Sequence, residues 1–307
     1  MPDPEAPDPA TLRPRLPSPL CPVTDERFAR HGVRLLLKRD DLIHPEIVGN
    51  KWRKLAPNLS AAGDRTLLTF GGAYSHHLAA TAAAGRLLGL GTVGVVRGHE
   101  LADRPLNATL RRCADDGMRL HFVDRSTYRR KNEPATLARI LRTTGSEGAF
   151  VVPEGGSNSL AVHGCTELGR ELRGAADVVA LACGTGGSLA GLAAGLGPGQ
   201  RALGIPVVGG GFLGTEIEAL QTSAFGGRRG SWTLDARFDF GGYARRPAEL
   251  RSFAEDFGHR HGLPVEHLYV AKMLYGLLTL TEEGAFSPGT RLAAVITGRP
   301  PRQGYED

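Results

Sequence analysis

Lysine is scarce in this sequence, and one lysine stands where chemistry is possible. Five occur, Lys38, Lys51, Lys54, Lys131 and Lys272, against a large majority of arginines. Lys51 follows Gly49 and Asn50 in the loop HPEIVGN and precedes a helical pattern. An aldehyde is attacked by an amine, not by a guanidinium, and a lysine amine can be tuned for that task. A single loop lysine is ordinarily a solvated charge, so other parts of the chain must carry the argument.

Three glycine-rich turns do so. GGAYSHH (71–77), PEGGSNS (153–159) and CGTGGS (183–188) each follow an aliphatic run and each precede a helical pattern. Glycine permits positive φ and close backbone approach, and the start of the next helix aims N–H groups at an anion. Any one of these loops is equally explained by turn chemistry in a glycine-rich chain. Three of them, together with a loop lysine, point to an anionic ligand. The adjacent His76 and His77 do not form a metal pair, because successive helical residues point about 100° apart and no local carboxylate or cysteine completes a site. Cys183, at a strand end, is expected to be an inert packed thiol rather than a nucleophile.

The elements that must position these residues alternate. Strands are expected at 33–37, 66–70, 93–96, 120–123, 150–152, 178–182, 205–208 and 292–296. Helices are expected at 75–88, 106–116, 134–141, 160–172, 188–196, 213–224, 247–261 and 271–283. Such alternation predicts an α/β fold of parallel sheets covered by helices on both faces, with ligands at the carboxyl ends of strands. The 307 residues suffice for two domains. The net charge of +5 is mild and no basic run is interleaved with aromatics, so nucleic acid is not an expected partner. Four scattered cysteines without a CxxC pair suggest a reducing compartment. The proline-rich start lacks the apolar segment of a signal peptide, and no apolar run reaches the roughly 20 residues of a membrane span. A cytoplasmic location is therefore expected, with no membrane partner.

Eight motifs then occur in a recognisable order: KRDDL, GNKWRKL, FGGAYSHH, PEGGSNSLAVHGC, CGTGGSLAGLAAGL, FGGYARRPAEL, YVAKMLYGL and ITG. Between about residues 35 and 298 the chain resembles the pyridoxal-phosphate enzymes of the tryptophan-synthase-β (type II) fold. Among these it is similar to the 1-aminocyclopropane-1-carboxylate deaminases and D-cysteine desulfhydrases. The resemblance implies that Lys51 binds the cofactor aldehyde covalently, with Asn50 beside it. It implies that Cys183, Gly184, Thr185, Gly186, Gly187 and Ser188 cradle the phosphate, and that Thr297 meets the pyridine nitrogen. Ser75, His76 and His77 would receive the substrate carboxylate. Tyr243 and Tyr269 would face the substrate over the ring, making Lys51, Ser75, Tyr243 and Tyr269 the catalytic set. Residues 1–57 and 152–307 would form the large cofactor-binding domain and 58–151 a small inserted one, with the cofactor in the cleft between them. The first 23 residues are expected to be poorly ordered, and the assembly to be a homodimer.

The chain departs from the family pattern in four places. A serine-asparagine-histidine run reads Ser75-His76-His77. The residues after Tyr269 are Val270 and Ala271 rather than threonine or glutamate and then glycine. The final glycine pair reads Gly298-Arg299, and the segment from Arg299 on is RPPRQGYED rather than an apolar tail. In the family a glutamate at the position of Val270 accompanies cyclopropane opening. The expected activity is therefore α,β-elimination from a small amino acid, releasing ammonia and a 2-oxo acid. The alternatives are β-replacement, racemisation or a biosynthetic step on the same fold, or a cofactor-binding protein with degraded catalysis.

Overall fold

The computed structural model describes residues 8–209, 211–242 and 244–300. In chain order the strands are β1 (Leu20–Val23), β2 (Arg34–Lys38), β3 (Leu67–Gly71), β4 (Thr92–Arg97), β5 (Arg119–Val123), β6 (Phe150–Val152), β7 (Val178–Cys183), β8 (Arg201–Pro206), β9 (Trp232–Leu234) and β10 (Arg291–Val295). The helices are α1 (Glu26–Ala29), α2 (Lys51–Ala62), α3 (His76–Leu88), α4 (Ala108–Asp115), α5 (Arg125–Arg129), α6 (Pro134–Thr143), α7 (Ser159–Glu171), α8 (Gly187–Gly195), α9 (Leu213–Phe225), α10 (Ala248–His261) and α11 (Val270–Glu282). The chain divides into two compact units. One is Arg15–Lys54 with Asn158–Pro300; the other is Leu55–Ser157 with residues 8–14, so the division falls inside α2.

The first unit is built on a six-stranded sheet of order β1-β2-β10-β7-β8-β9. Every neighbouring pair is parallel except β1 with β2. Strand β7 shows why the sheet is covered on both faces. All six of its residues are buried. Val178, Ala180 and Ala182 join one core with Phe257, Leu250, Met273 and Leu277 of α10 and α11. Val179, Leu181 and Cys183 join another with Val162, Leu189, Leu192 and Ile217 of α7, α8 and α9. Alternate side chains of a strand point to opposite faces, so a continuous apolar run can line two cores.

The second unit is a four-stranded, all-parallel sheet of order β5-β4-β3-β6. Leu68, Phe70, Val93 and Val95 pack on one face with Tyr128 of α5 and Ile140 of α6. Leu78 and Ala82 of α3, with Leu110 and Cys113 of α4, form a core with Val96. The expected α/β class, with parallel sheets under helices, is what the structure has.

Three strand expectations are corrected. No strand was expected in the proline-rich lead, yet Leu20–Val23 forms β1. Pro22 lies within it, which is tolerated because β1 is an edge strand paired on one side only. The strand expected at 205–208 runs instead over Arg201–Pro206, in register with β7 from Val178↔Arg201 to Cys183↔Pro206. Pairing with a buried neighbour outweighs the local β-branched signal. Trp232–Leu234 supplies a further edge strand, three residues long. Among the described residues no helix is long and apolar enough to cross a membrane.

Candidate active site

Lys51 is the first residue of α2, and the turn before it is fixed by a backbone approach that only glycine allows. Gly49 has φ +68, and a Cβ there would lie 1.8 Å from the Thr297 carbonyl oxygen. That same carbonyl accepts a hydrogen bond from the Asn50 N–H at 3.3 Å. The end of β10 and the start of α2 are thereby locked together, and Thr297 is placed beside Asn50. The loop ahead is ordered by His44, whose Nδ1 accepts the N–H groups of Glu46 and Ile47 at 3.1 and 3.0 Å. The His44 ring stacks on Trp52.

A chain of polar contacts then runs from Lys51 to α8. Lys51 Nζ donates to Asn50 Oδ1 at 3.2 Å, and Asn50 Nδ2 donates to Ser188 Oγ at 3.0 Å. Burial pushes the Lys51 amine down to about 8, against the smaller opposing pull of Cys165 and Glu266. An amine so tuned is a competent nucleophile and base near neutral pH.

The turn between β7 and α8 lies in the same unit. Gly186 caps α8 with φ +78, and a Cβ there would come within 2.6 Å of Ile217. A Cβ on Gly184 would come within 3.3 Å of the Tyr269 ring and hydroxyl, so the ring of Tyr269 lies against this turn. Thr185 Oγ1 accepts a hydrogen bond from Lys54 Nζ at 3.4 Å. The sequence reading had not assigned Lys54 to the site. Its signal was present, because residues three apart on a helix share a face and Lys54 is three residues past Lys51. Burial, and then the charge of Lys51, push Lys54 down to about 7. Cys183 is a buried thiol pushed up to about 12 by burial, as suits packing rather than nucleophilic work.

Glu266 was also missed. It is buried, and its carboxylate accepts the N–H groups of Leu268, Tyr269 and Val270 at 2.6, 2.8 and 3.2 Å. It caps the start of α11 and fixes the backbone of Tyr269. Val270 is fully buried in the apolar core. Tyr243 lies outside the described residues.

Below α2 a buried ion cluster anchors the helix. Arg53 donates to both Asp40 oxygens at 2.8 and 2.9 Å and to both Glu171 oxygens at 2.9 Å. Lys38 pairs with Glu171 at 2.5 Å and donates to the Ser18 carbonyl at 2.6 Å. Lys38 and Asp40 of the KRDDL motif thus help to hold the turn that presents Lys51 and Lys54.

In the other unit, Ser75 caps α3, accepting the Leu78 N–H at 3.2 Å. His76 is the first helical residue and is half-buried. The buried His77 turns its ring toward the sheet, with Nε2 2.8 Å from Thr69 Oγ1. Thr69 gives its own hydrogen to the Val152 carbonyl, which makes His77 Nε2 the donor.

These residues fit pyridoxal phosphate. The glycine turn followed by a helix start, with Lys54 and Thr185 beside it, is a donor set for a phosphate dianion. Lys51 is an amine for the aldehyde.

Comparison with known proteins agrees. The family described as pyridoxal-phosphate dependent enzyme matches residues 13–298. The chain is 27% identical over 293 residues to the bifunctional D-cysteine desulfhydrase/1-aminocyclopropane-1-carboxylate deaminase of Arabidopsis thaliana, covering 87% of this chain and 73% of that protein. A crystal structure of an ACC deaminase homologue superposes with a TM-score of 0.76 at 26% identity, over 94% of this chain and 93% of that one. A hydrogen sulfide-producing enzyme from Fusobacterium nucleatum shares the fold, with a TM-score of 0.65 at 12% identity, over 94% and 96% of the two chains. The fold is that of the tryptophan-synthase-β-like, type II class, and the family match over residues 13–298 shows that the chain belongs to the pyridoxal-phosphate-dependent enzymes.

Proposed function

We propose that the protein is a lyase that removes a β-substituent from a small amino acid and releases ammonia and a 2-oxo acid. The observation that carries this reading is the placement of an amine lowered to about 8 by burial, Lys51, in one unit with Tyr269 at the phosphate-type turn. The D-cysteine desulfhydrase named among the relatives performs a reaction of this class. We assign cofactor binding to Arg15–Lys54 with Asn158–Pro300, through Asn50, Lys51, Lys54, the 183–188 turn and Thr297.

When bound, pyridoxal phosphate supplies an electron sink at the substrate α-carbon. Lys51 Nζ takes the α-proton. Tyr269, and Tyr243 in our assignment, hold and deliver the proton that the departing β-group needs. Asn50 orients Lys51 through their hydrogen bond. The start of α3, with Ser75, His76 and the backbone of His77, receives the substrate carboxylate, as a helix N-terminus favours an anion. The unsaturated amine left after elimination hydrolyses in water to ammonia and the 2-oxo acid.

Elimination is favoured over cyclopropane opening. Loss of an α-proton and a good leaving group asks less of the sink than rupture of an unactivated carbon–carbon bond. Val270 is buried among apolar side chains and the Glu266 carboxylate is occupied by three backbone N–H groups, so neither offers an acid for ring opening. The test is pyruvate release from D-cysteine or β-chloro-D-alanine against 2-oxobutanoate release from 1-aminocyclopropane-1-carboxylate. Faster turnover of the cyclopropane substrate overturns the reading. We further propose a homodimer working in the cytoplasm, which four free thiols suit. Light scattering would report the oligomer and cell fractionation the location.

A further inference from the structure

Glu266 is buried, and the reaction described so far makes no use of its charge. It stands just ahead of α11 and meets four consecutive N–H groups by itself. Its carboxylate accepts those of Leu268, Tyr269 and Val270, and its carbonyl accepts that of Ala271 at 2.8 Å. The start of a helix leaves its first N–H groups without intrahelical partners, so they must be met from outside. A carboxylate taken out of water is costly unless it is hydrogen-bonded, and these bonds make its burial tolerable. Its charge also reaches the Lys51 and Lys272 amines, where it opposes the lowering that burial imposes.

The residue in the N-cap position of α11 is Tyr269, with φ −120 and ψ −63 and no capping hydrogen bond from its own side chain. That position ordinarily takes serine, threonine, asparagine or aspartate, whose short side chain accepts an N–H of the first turn. A tyrosine ring cannot do so. Here the capping comes from Glu266 instead, and the N-cap position is open to a side chain with another task. The ring of Tyr269 lies against the 183–188 turn: a Cβ on Gly184 would be 3.3 Å from its Cε1 and from its hydroxyl. The Tyr269 backbone is held at both ends, its N–H by Glu266 and its carbonyl by the Met273 N–H at 3.2 Å. The rotamers open to a side chain depend on its φ and ψ, so a fixed backbone narrows where the hydroxyl can lie.

We propose that Glu266 is a positioning residue for proton transfer: by capping α11 in place of Tyr269, it fixes the Tyr269 backbone and holds the hydroxyl against the turn at Gly184. The proposal rests on the reading of Tyr269 as a proton-handling group. It accounts for an aromatic residue at a helix N-cap. It also assigns a task to a buried carboxylate whose oxygens are both occupied by backbone N–H groups.

The test is a double-mutant cycle on the holoenzyme with β-chloro-D-alanine as substrate. Glu266→Gln, Glu266→Asp and Tyr269→Phe are made singly, and each of the first two is combined with Tyr269→Phe. Glu266→Gln leaves one acceptor oxygen in place of two. Glu266→Asp keeps the carboxylate but draws it back by one methylene; it can still accept N–H groups a few residues on, and it serves if Glu266→Gln does not fold. The expected result is a fall in kcat of about 10- to 100-fold for Glu266→Gln and about 3- to 10-fold for Glu266→Asp, the scale of a small misplacement. KM and bound-cofactor absorbance should be unchanged. In the Tyr269→Phe background either change should cost less than about twofold, since no hydroxyl is left to misplace. Full multiplication of the single effects, or a lowered melting temperature with kcat intact, overturns the proposal. If Tyr269→Phe alone leaves kcat unaltered, the parent assignment of Tyr269 fails and this proposal with it.

Discussion

Two lysines one helical turn apart divide the work at the residue scale. Lys51, lowered to about 8, is suited to covalent chemistry and proton transfer, whereas Lys54, lowered to about 7 and hydrogen-bonded to Thr185, is suited to an anion. An arriving phosphate stabilises the charged form of Lys54, so cofactor binding takes up a proton when Lys54 begins neutral. Cofactor affinity should therefore weaken as pH rises above about 7. Lys54→Met should loosen the cofactor and flatten that pH dependence while kcat at saturating cofactor changes little. Equilibrium dialysis at several pH values measures this, and a Met variant with wild-type affinity at pH 6.5 would show that Lys54 does not meet the phosphate. Tyr269 lies against Gly184 with its backbone held by Glu266. Tyr269→Phe should slow kcat by about 10²–10⁴-fold, the range for one acid–base group. Steady-state kinetics with wild-type KM would separate this from lost binding.

Elements place these residues through a few close approaches. Gly186→Val must adopt φ +78 and set its side chain into Ile217, so the turn we assign to the phosphate has to shift. Cofactor retention should fall and excess cofactor should restore part of the activity; unchanged affinity in a cofactor titration would contradict the assignment. His44 orders the loop before Lys51 as a neutral acceptor, and burial lowers its pKa. Because the folded pKa lies below the unfolded value near 6.5, its contribution is intact above that pH and is lost as pH falls through the window beneath it. Melting temperatures should drop below pH 6.5 in the wild type and less steeply in His44→Gln. Equal slopes would remove His44 from the account. The glycine turns and the Lys51 loop were legible because each motif marks a strand–turn–helix junction. Lys54 and Glu266 were not singled out, since a second helix lysine and an isolated glutamate look like surface charges until burial is known. The lead strand β1 was hidden by its prolines, and β8 was misplaced because pairing with β7, not local propensity, sets its ends.

For the molecule as a whole, the parallel-sheet class followed from alternation along the chain. What alternation does not contain is the buried cluster joining Lys38, Arg53, Asp40 and Glu171 across distant segments. Breaking such a pair leaves a buried charge uncompensated, at a cost of about 3–5 kcal/mol, so the motif around Lys38 serves the fold that holds the site. Across the chain each lysine has an identified partner. Lys38 is paired with Glu171, Lys131 with Glu154, Lys272 with two carbonyls, and Lys54 with Thr185. Lys51, lowered by burial as Lys54 is, is held by one neutral amide at the start of α2. The most direct test of the account is borohydride reduction of the purified holoenzyme followed by proteolysis and mass mapping of all five lysines. The account predicts a phosphopyridoxyl group on the peptide containing Lys51, at Lys51 alone. The adduct on Lys38, Lys54, Lys131 or Lys272, or no adduct on any of them, would contradict it.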